Sequence, residues 1–383
     1  MEPKNSAPLA GVRVVEFAGI GPGPFAAMML ADMGADVIRI EKPKNHSNGS
    51  TESVELDFLS RGRQSIALDL KASGATDVAL QIIENADALI EGYRPGVMER
   101  LGLGPDDCHA INPKLVYGRM TGWGQEGPLA QRAGHDLNYI AISGALWAMG
   151  EADRAPVFPL NLLGDFGGGG MYLAFGILAG LLKAAATGRG SVVDAAIVDG
   201  TASLLTMLHS HRATGKWRDA RAVNSLDGGA PWYSVYECAD GGWITIAALE
   251  PQFWAILLER LDLSEEDLGD RADRSCWPAM RDCLKKVFRS KSRDEWVAIL
   301  QDCDACFAPV LSPGEAALHP HNAARGVFSG SQAQPMPAPR FGSSSLPLPG
   351  KPPVIGQNSC DILKSSGFSE LEISEIFSAG IVF

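Results

Sequence analysis

Residues 12–41 read VRVVEFAGIGPGPFAAMMLADMGADVIRIE. Val12 to Phe17 is a strand-like stretch, a loop of Gly and Pro follows, and Phe25 to Met33 is helix-like. A second strand-like stretch, Val37 to Ile40, predicts another strand. A strand, a helix and a strand in this order form a βαβ unit, in which the two strands are parallel.

The alternation continues along the first half of the chain, which predicts an α/β fold with a parallel sheet and helices on its faces. The further strands are predicted at 65–70, 88–91, 115–120 and 192–195, and the further helices at 75–85, 134–149, 166–186 and 197–214.

From about residue 220 the pattern changes, and a hairpin at 235–238 and 243–248 is predicted to open a second unit. Helices are then predicted at 252–261, 277–289, 293–301, 361–364 and 369–378, and the Pro-, Ser- and Gly-rich stretch 312–357 is predicted to be a strap between domains.

The charge balance limits the partners of the protein. It has 33 Lys and Arg against 45 Asp and Glu, a formal net charge of −12. Binding to nucleic acid or an anionic membrane surface needs an excess of cations that displaces counterions from phosphate, so we expect neither partner. A polyanionic ligand would need a locally basic pocket.

Composition also predicts the compartment. The longest apolar run, Met171 to Leu182, is shorter than the roughly 20 residues that span a bilayer, and the first residues do not resemble a signal peptide. The seven scattered cysteines suit reduced thiols. We therefore expect a cytoplasmic protein with no membrane span. Cys303 and Cys306 lack the context of a redox motif, and the pair His209 and His211 has no third ligand nearby, so no metal site is predicted.

The loop 18–24, AGIGPGP, follows a strand and opens a helix, and Glu41 ends the next strand. This arrangement imitates a dinucleotide fingerprint and leaves an NAD-dependent oxidoreductase as one alternative. However, the last Gly of GxGxxG falls on Pro24, and Pro22 and Pro24 each remove a backbone donor that a pyrophosphate would use. We favour a tight turn that lets a long ligand pass close to the backbone.

Residues 164–170, GDFGGGG, are the most unusual segment. Each Gly at a helix start forfeits roughly 0.5 to 1 kcal/mol relative to Ala, so a close approach should require them. Either Asp165 only caps the helix and the glycines pack against a neighbouring backbone, or its carboxylate lies beside free N–H groups that could hold an oxyanion. His135 begins another predicted helix. Together, His135 and Asp165 supply two groups able to exchange a proton with carbon from opposite sides.

Several stretches resemble the class III CoA-transferase superfamily of the CaiB/BaiF type, namely LAGVRVVE at 9–16, GPGPF at 21–25, MGADVIRIE at 33–41, EGYRPGV at 91–97 and GRMTGWG at 118–124. Others are similar to its α-methylacyl-CoA racemase branch, namely AGHDLNY at 133–139, LNLLGD at 160–165, LDGGAP at 226–231 and LEPQF at 249–253. The resemblance runs almost end to end.

The resemblance implies an enzyme that inverts the 2-methyl centre of an acyl-CoA thioester through an enolate, with no metal or redox cofactor and with CoA as part of the substrate. It implies His135 and Asp165 as the acid/base residues and Glu250 as the carboxylate partner of the histidine. It also implies the Asp165 N–H as the oxyanion donor, with the glycines leaving room for the thioester and acyl chain.

The CoA phosphates need local cations in an acidic protein. The resemblance places Lys42, Arg94 and Arg100 around the nucleotide, and places the segment with Ala67, Leu68 and Lys71 beside the adenine. Lys42 stands where a relative has Arg, a change that keeps the charge and loses bidentate geometry.

The resemblance further implies an interlocked homodimer with active sites between subunits. Each chain would have a large Rossmann-like, CoA-binding domain built from residues 1–215 and 335–383, and a smaller α+β domain at 220–330. The nearest alternative is a CoA-transferase on the same fold, with Asp165 as a nucleophile that forms mixed-anhydride and thioester intermediates. The identity of the acyl chain stays open.

Overall fold

The apolar runs of the first half form a six-stranded sheet in the computed structural model, which describes residues 7–43, 56–342, 346 and 348–383. Its strands are β1 Arg13–Phe17, β2 Asp36–Glu41, β3 Arg63–Ala67, β4 Ala88–Glu91, β5 Val116–Thr121 and β6 Ser191–Ala196. Successive side chains point to opposite faces of a strand. Val14 and Val15 are nevertheless both fully buried, because helices cover both faces of the sheet.

The strands lie in the order β3-β2-β1-β4-β5-β6, and every neighbouring pair is parallel. Val15 of β1, for example, lies between Ile38 of β2 and Leu89 of β4. This is the Rossmann-like order, in which the direction of strand addition reverses between β1 and β4. The predicted α/β fold class is confirmed.

The connections between these strands are largely helical. The helices are α1 Pro22–Asp32, α2 Ala75–Glu84, α3 Val97–Arg100, α4 Pro105–Ile111, α5 Asp136–Ile142, a π-helix at Leu162–Gly170 that continues into α6 Met171–Thr187, and α7 Ile197–Leu204. The helix predicted at 166–186 therefore begins earlier, in a π-helical turn. The helix predicted at 134–149 ends at Ile142, because Gly144 takes a left-handed φ of 87°.

A hydrophobic core lies on each face of the sheet. On one face Val15 and Leu89 pack with α2 and with the C-terminal helices described below. On the other face Val14 and Ile90 pack with α1 and α6. The two faces are thus specified by alternate residues of the same strands.

The stretch Leu162–Thr187 is, among the described residues, the helical segment long and apolar enough to cross a membrane, and 39% of the most apolar window is buried in the structure. Leu173 and Ile177 of α6 face the core. Phe175 and Leu182, on the other side of α6, are exposed. The helix is therefore a core helix with an apolar outer face.

The second part of the chain builds a small antiparallel sheet covered by helices. Its elements are α8 Thr206–Ala213, β7 Tyr233–Glu237, β8 Trp243–Ala247, α9 Pro251–Leu261, α10 Glu265–Leu268, α11 Trp277–Phe288, α12 Arg293–Leu300, β9 Phe307–Pro309, α13 Pro313–Leu318, α14 Pro320–Arg325 and β10 Phe328–Ser329. The predicted hairpin is β7–β8, and β9 pairs with β8. Trp254, Leu284 and Phe288 are fully buried in its core.

The remaining elements are β11 Gln334–Pro335, α15 Ser359–Ser365 and α16 Glu370–Ser378. The two helices contribute to the core on one face of the parallel sheet. The Phe383 N–H donates to the carbonyl of Ala67 at 3.0 Å, so the C-terminus attaches to the end of β3. Ser369 caps α16 and accepts from the Glu372 N–H, as its position three residues before Glu372 predicted.

Two compact units result. The first comprises Met1–Ser143, Pro159–Leu205 and Gln334–Phe383, and the second comprises Gly144–Phe158 and Thr206–Ala333. The sequence-based boundaries assigned residues 144–158 and 206–215 to the large domain instead. The difference arises because two predicted helices break where the chain changes unit, after Ile142 and at Leu205.

The predicted strap at 312–357 is wrong for its first part. Ser312 and Glu315 form a capping box that starts α13, and α14 follows directly. Residues 343–345 and 347 of this stretch lie outside the described residues.

Candidate active site

A cavity of about 680 Å³ opens in the first unit at the carboxyl ends of β1, β4 and β5. Its walls come from the loops that follow these strands, at 19–24, 92–95 and 121–123, and from residues that include His135, Asn161 and Asp165. The strand order reverses between β1 and β4. The cavity therefore lies at the topological switch point, where open parallel sheets bind their ligands.

Asp165 lies in the π-helix and lines this cavity, half-buried. Asn161, one turn earlier, donates its amide N–H to Asp165 Oδ2 at 3.3 Å. On the opposite side, Gly21 takes a left-handed φ of 69°, and a Cβ there would lie 2.9 Å from Asp165 Oδ2. Gly21 thus allows the loop after β1 to approach the carboxylate.

The surroundings favour the protonated form of Asp165. Burial is the largest cause that raises its pKa, and the charge of Asp136 raises it further. The hydrogen bond from Asn161 and the charge of His135 act in the opposite direction without cancelling the rise. Asp165 therefore holds its proton to a higher pH than an exposed aspartate does, which suits a group that both gives and takes protons.

His135 is the N-cap residue of α5, and its backbone is extended there. Its own backbone N–H donates to Asn138 Oδ1 at 3.0 Å, and its imidazole makes no capping hydrogen bond. The residue is exposed and lines the cavity. The structure therefore brings His135 and Asp165 into one cavity, from the starts of two helices.

Asp136 is a residue of this site that the sequence reasoning missed. It is 7% exposed, and its Oδ1 accepts the backbone N–H of Asp165 at 2.6 Å. Burial raises the pKa of Asp136, against the hydrogen bonds from the Asp165 and Gly164 N–H groups. In this structure the Asp165 N–H, the expected oxyanion donor, is thus engaged by Asp136.

A sequence signal for Asp136 existed. An acidic residue at the first position of a helix is well placed to accept backbone N–H groups. In addition, Gly164 is followed directly by Asp165, and a Cβ on Gly164 would collide with Asp136 Oδ1. The two segments AGHDLNY and LNLLGD therefore meet through Asp136 and Gly164.

The glycine run serves packing. Gly168, Gly169 and Gly170 are buried, and Cβ atoms on them would collide with α7 or α1. A Cβ on Gly168 would lie 2.7 Å from the Thr201 backbone nitrogen, and one on Gly170 would lie 2.8 Å from the Pro22 carbonyl oxygen. The expectation that these three glycines leave room for a thioester and acyl chain is wrong; they allow backbones to pack closely, as the first of the two alternatives predicted.

Among the expected CoA-binding residues, Arg94 lines the cavity and is exposed. Burial raises the pKa of the buried Tyr139 hydroxyl, the charge of Asp165 raises it further and the charge of Arg94 lowers it. Arg94 and Asp165 thus act on the same ring. This places a cation on the wall of the cavity that holds the two acid/base candidates.

The other expected CoA residues do not line the described cavity. Lys42 follows β2 directly and is exposed, as are Lys71 after β3 and Arg100 at the end of α3. Ala67 and Leu68 are 2% and 1% exposed. The carboxyl ends of parallel strands share one edge of a sheet, so Lys42 and Lys71 belong to the edge at which the cavity opens.

The Ala67 backbone is already occupied. Its N–H donates to Ser359 Oγ at 3.3 Å, and its carbonyl accepts the N–H of Phe383. Leu68 donates its N–H to the Glu41 carbonyl at 2.8 Å. A ligand would therefore meet this segment through exposed neighbours such as Lys71.

Glu250 lies in the second unit, where it is exposed and is the N-cap residue of α9. Burial raises the pKa of the neighbouring Cys306 thiol, and the negative charge of Glu250 raises it further. Glu250 is not among the residues that line the cavity of the first unit.

The loop after β1 is a tight strand-to-helix turn, and it does not complete a dinucleotide site. Glu41, which would have to bind a ribose, is held by Arg39 Nε at 3.3 Å and by the Ser65 hydroxyl. Pro22 begins α1 and has no N–H to offer. The geometry therefore disfavours the NAD-dependent alternative.

Comparison with known proteins decides the family. The model of CoA-transferase family III matches residues 9–359. The chain belongs to this family. Proteins to which it is similar include the alpha-methylacyl-CoA racemase of Mus musculus, 43% identical over 98% of this chain and 97% of that protein, and the one of Homo sapiens, 41% identical over the same shares.

The solved structures agree with this assignment. The crystal structure of a CaiB/BaiF family protein from Brucella suis matches with a TM-score of 0.80 and 27% identity, over 94% of this chain and 99% of that chain. The resemblance stated from the sequence motifs is confirmed.

Proposed function

We propose that this member of CoA-transferase family III epimerises the C2 centre of 2-methyl-branched acyl-CoA thioesters by 1,1-proton transfer. The proposal is supported by the racemases that are 43% and 41% identical over nearly the whole chain. The observation that carries it in the structure is the presence of His135 and Asp165 in one cavity at the switch point of the sheet.

The chemistry follows from the thioester. Its carbonyl makes the C2 proton acidic enough for a base to remove, and the electron pair of the C–H bond then moves to the thioester oxygen and forms an enolate. In the proposed mechanism one of His135 and Asp165 takes this proton, and the other returns a proton to the opposite face of C2. The raised pKa of Asp165 allows it to hold the proton that it gives. The reaction balances without a metal or redox cofactor.

The positioning groups are part of the proposal. Glu250 would orient the imidazole of His135 and support its charged form; it is exposed at the start of α9 and therefore accessible to a partner. The CoA phosphates would lie against Arg94, Lys42 and Arg100, with the adenine beside the 67–71 segment.

We also propose a homodimer with active sites between subunits. The outer face of α6 is apolar and exposed, with Phe175 at 72%, Leu182 at 75% and Met171 at 47%. Val192 on the edge strand β6 is 47% exposed beside it. Exposed apolar patches of this kind mark protein interfaces. A cytoplasmic location is proposed as well, supported by the seven free cysteines.

Deuterium exchange tests the proposed function. One epimer of a 2-methylacyl-CoA is incubated with the protein in heavy water, with no acceptor acid. The racemase incorporates deuterium at C2 and produces the other epimer. Absence of both, combined with CoA transfer once a carboxylic acid is added, would reject the racemase in favour of a CoA-transferase with Asp165 as the nucleophile.

Variants assign the residues. His135→Ala and Asp165→Asn should each abolish epimerisation while leaving CoA affinity largely intact. Glu250→Gln should lower kcat more than it raises KM, because it acts through the histidine. Unchanged epimerisation in either of the first two variants would remove that residue from the mechanism.

A further inference from the structure

The loop between β4 and α3 carries Arg94 into the cavity, and ionic contacts hold it at both ends, buried at its start and half-exposed at its end. At its start, Glu91 ends β4, and its side chain is 0% exposed. Glu91 Oε2 accepts the backbone N–H of Tyr93 at 2.7 Å. Because Tyr93 directly precedes Arg94, this bond fixes the direction in which the chain leaves the sheet.

A single guanidinium joins the two ends of the loop. Arg119, on the neighbouring strand β5, is 8% exposed, and its Nε donates to Glu91 Oε1 at 3.1 Å. Its Nη1 donates to Glu99 Oε1, on α3, at 2.8 Å. Both oxygens of Glu91 are therefore used, and the residues between Glu91 and Glu99 form a loop that one side chain closes.

The loop turns sharply before α3 and is held by one further hydrogen bond. Gly96 takes a left-handed φ of 82° at the start of α3. Gln131 donates its side-chain N–H to the Pro95 carbonyl at 3.1 Å. None of Glu91, Arg119 and Glu99 lines the cavity itself. Their hydrogen bonds hold the two ends of the loop that carries Arg94.

We propose that the Glu91–Arg119–Glu99 bridge is a positioning element for acyl-CoA binding, which holds the loop 92–95 so that Arg94 presents its guanidinium to the CoA moiety. The inference rests on the proposed function for the identity of the ligand. According to this proposal, three residues outside the cavity affect KM. Buried ion pairs elsewhere in the first unit should affect stability and leave KM unchanged.

The bridge also predicts a pH dependence. Burial raises the pKa of Glu91 to about 7, although the Tyr93 N–H and Arg119 favour its charged form. The other titratable groups that face it are Tyr93 itself, Tyr117 on β5 and Glu99, whose pKa the hydrogen bond from Arg119 lowers. As the pH falls through about 7, Glu91 gains a proton and its attraction for Arg119 weakens. Affinity for CoA should fall over this range.

The test measures free CoA binding by calorimetry and acyl-CoA kinetics in parallel. In Glu91→Gln one accepting oxygen is replaced by an NH2 group. The remaining oxygen can accept from the Tyr93 N–H or from Arg119, and the NH2 group then faces the other donor. We expect KM and the Kd of CoA to rise about tenfold, the effect of one lost hydrogen bond to a charged group, and kcat to fall no more than about twofold. Glu99→Gln, at the half-exposed end, should shift the same quantities less, and it provides a readout if Glu91→Gln does not fold.

Two controls separate positioning from stability. Asp32→Asn breaks the bidentate, buried Asp32–Arg61 pair of the same unit, with N–O distances of 3.0 and 2.6 Å, and should lower the melting temperature without raising KM. In an Arg94→Ala background, Glu91→Gln should add no further loss of CoA affinity, because the two changes remove the same contact.

The pH comparison uses the difference between wild type and Glu91→Gln, since the CoA phosphates titrate equally with both. The step near pH 7 should be absent from the variant. Additive losses in the double variant, or wild-type KM in both Glu91→Gln and Glu99→Gln, would overturn the bridge as a positioning element. Weakened CoA binding in Glu91→Gln together with no C2 exchange by the wild type would support the bridge and reject the racemase.

Discussion

Replacing Gly168 with Ala tests whether the glycine run positions Asp165. The added Cβ would lie 2.7 Å from the backbone nitrogen of Thr201 and 3.1 Å from the carbonyl oxygen of Ile197. The first distance is about 0.7 Å short of ordinary van der Waals contact, and both neighbours are backbone atoms of α7 that no rotamer change can move. The π-helix must therefore shift away from α7.

The size of the effect follows from that shift. Overpacking a close contact of this kind costs about 1 to 3 kcal/mol. Asp165 lies three residues before Gly168 in the same π-helix, so a displacement of several tenths of an ångström reaches its carboxylate. A misplacement near 1 Å can reduce a rate by about 100-fold. We expect kcat for C2 exchange to fall by about one to two orders of magnitude.

The assay is deuterium exchange at C2, together with urea unfolding. Gly314→Ala is the matched control, because nothing lies within 4 Å of its Cβ position and it sits in α13, where Ala favours the helix. It should leave kcat unchanged. Wild-type kcat in Gly168→Ala, at unchanged stability, would refute the conclusion that these glycines position the site by close packing.

Three further outcomes are expected. Asp136→Asn removes a negative charge that raises the pKa of Asp165, so in the direction where Asp165 acts as base the acidic limb of the kcat profile should move to lower pH. Arg293 and Ser312 hold the pKa of Glu315 at about 2. The contribution of this carboxylate to stability is therefore present above its unfolded pKa of about 4.3 and should be lost as the pH falls through about 2. Melting curves of Glu315→Gln and wild type between pH 2 and 6 would measure this loss. Phe175→Glu places a charge on the apolar outer face of α6 and should yield a monomer with reduced activity, detectable by light scattering.

Each of these has a contradicting result. A pH limb that does not move in Asp136→Asn would mean that the Asp136 charge does not reach Asp165. Equal melting temperatures of Glu315→Gln and wild type at pH 6 would leave the Glu315–Arg293 contact, at 2.6 Å, without a role in stability. A Phe175→Glu protein with wild-type mass would place the subunit interface elsewhere; Leu318→Glu, which changes an 82% exposed residue of the second unit, is the control.

The strands of the first unit could be predicted because burial on both faces produces apolar runs, such as Ala88 to Ile90. Ala88–Glu91 was predicted to the residue, and the other strands to within one or two residues at most ends. The Ser369 cap was predicted because a capping box is a local signal. These features depend on neighbours within a few positions of the chain.

The parts that could not be predicted depend on distant contacts. The π-helix at Leu162–Gly170 has no characteristic apolar period, and its glycines face backbone atoms of α1 and α7 that the sequence does not place beside it. The contact between Asp136 and the Asp165 N–H likewise joins two helix starts. By contrast, the end of α5 had a local signal in Gly144, which the apolar residues beyond it concealed.

The chain segment between His135 and Asp165, the two acid/base candidates, passes through the second unit. After α5 the chain enters the second unit at Gly144 and returns to the first at Pro159. Within the second unit Arg221 holds this segment, since its guanidinium lies 4.7 Å from the Trp147 ring and donates to the Arg154 carbonyl at 2.8 Å. The helix that begins at His135 and the π-helix with Asp165 are therefore joined along the chain by a segment that belongs to the second unit.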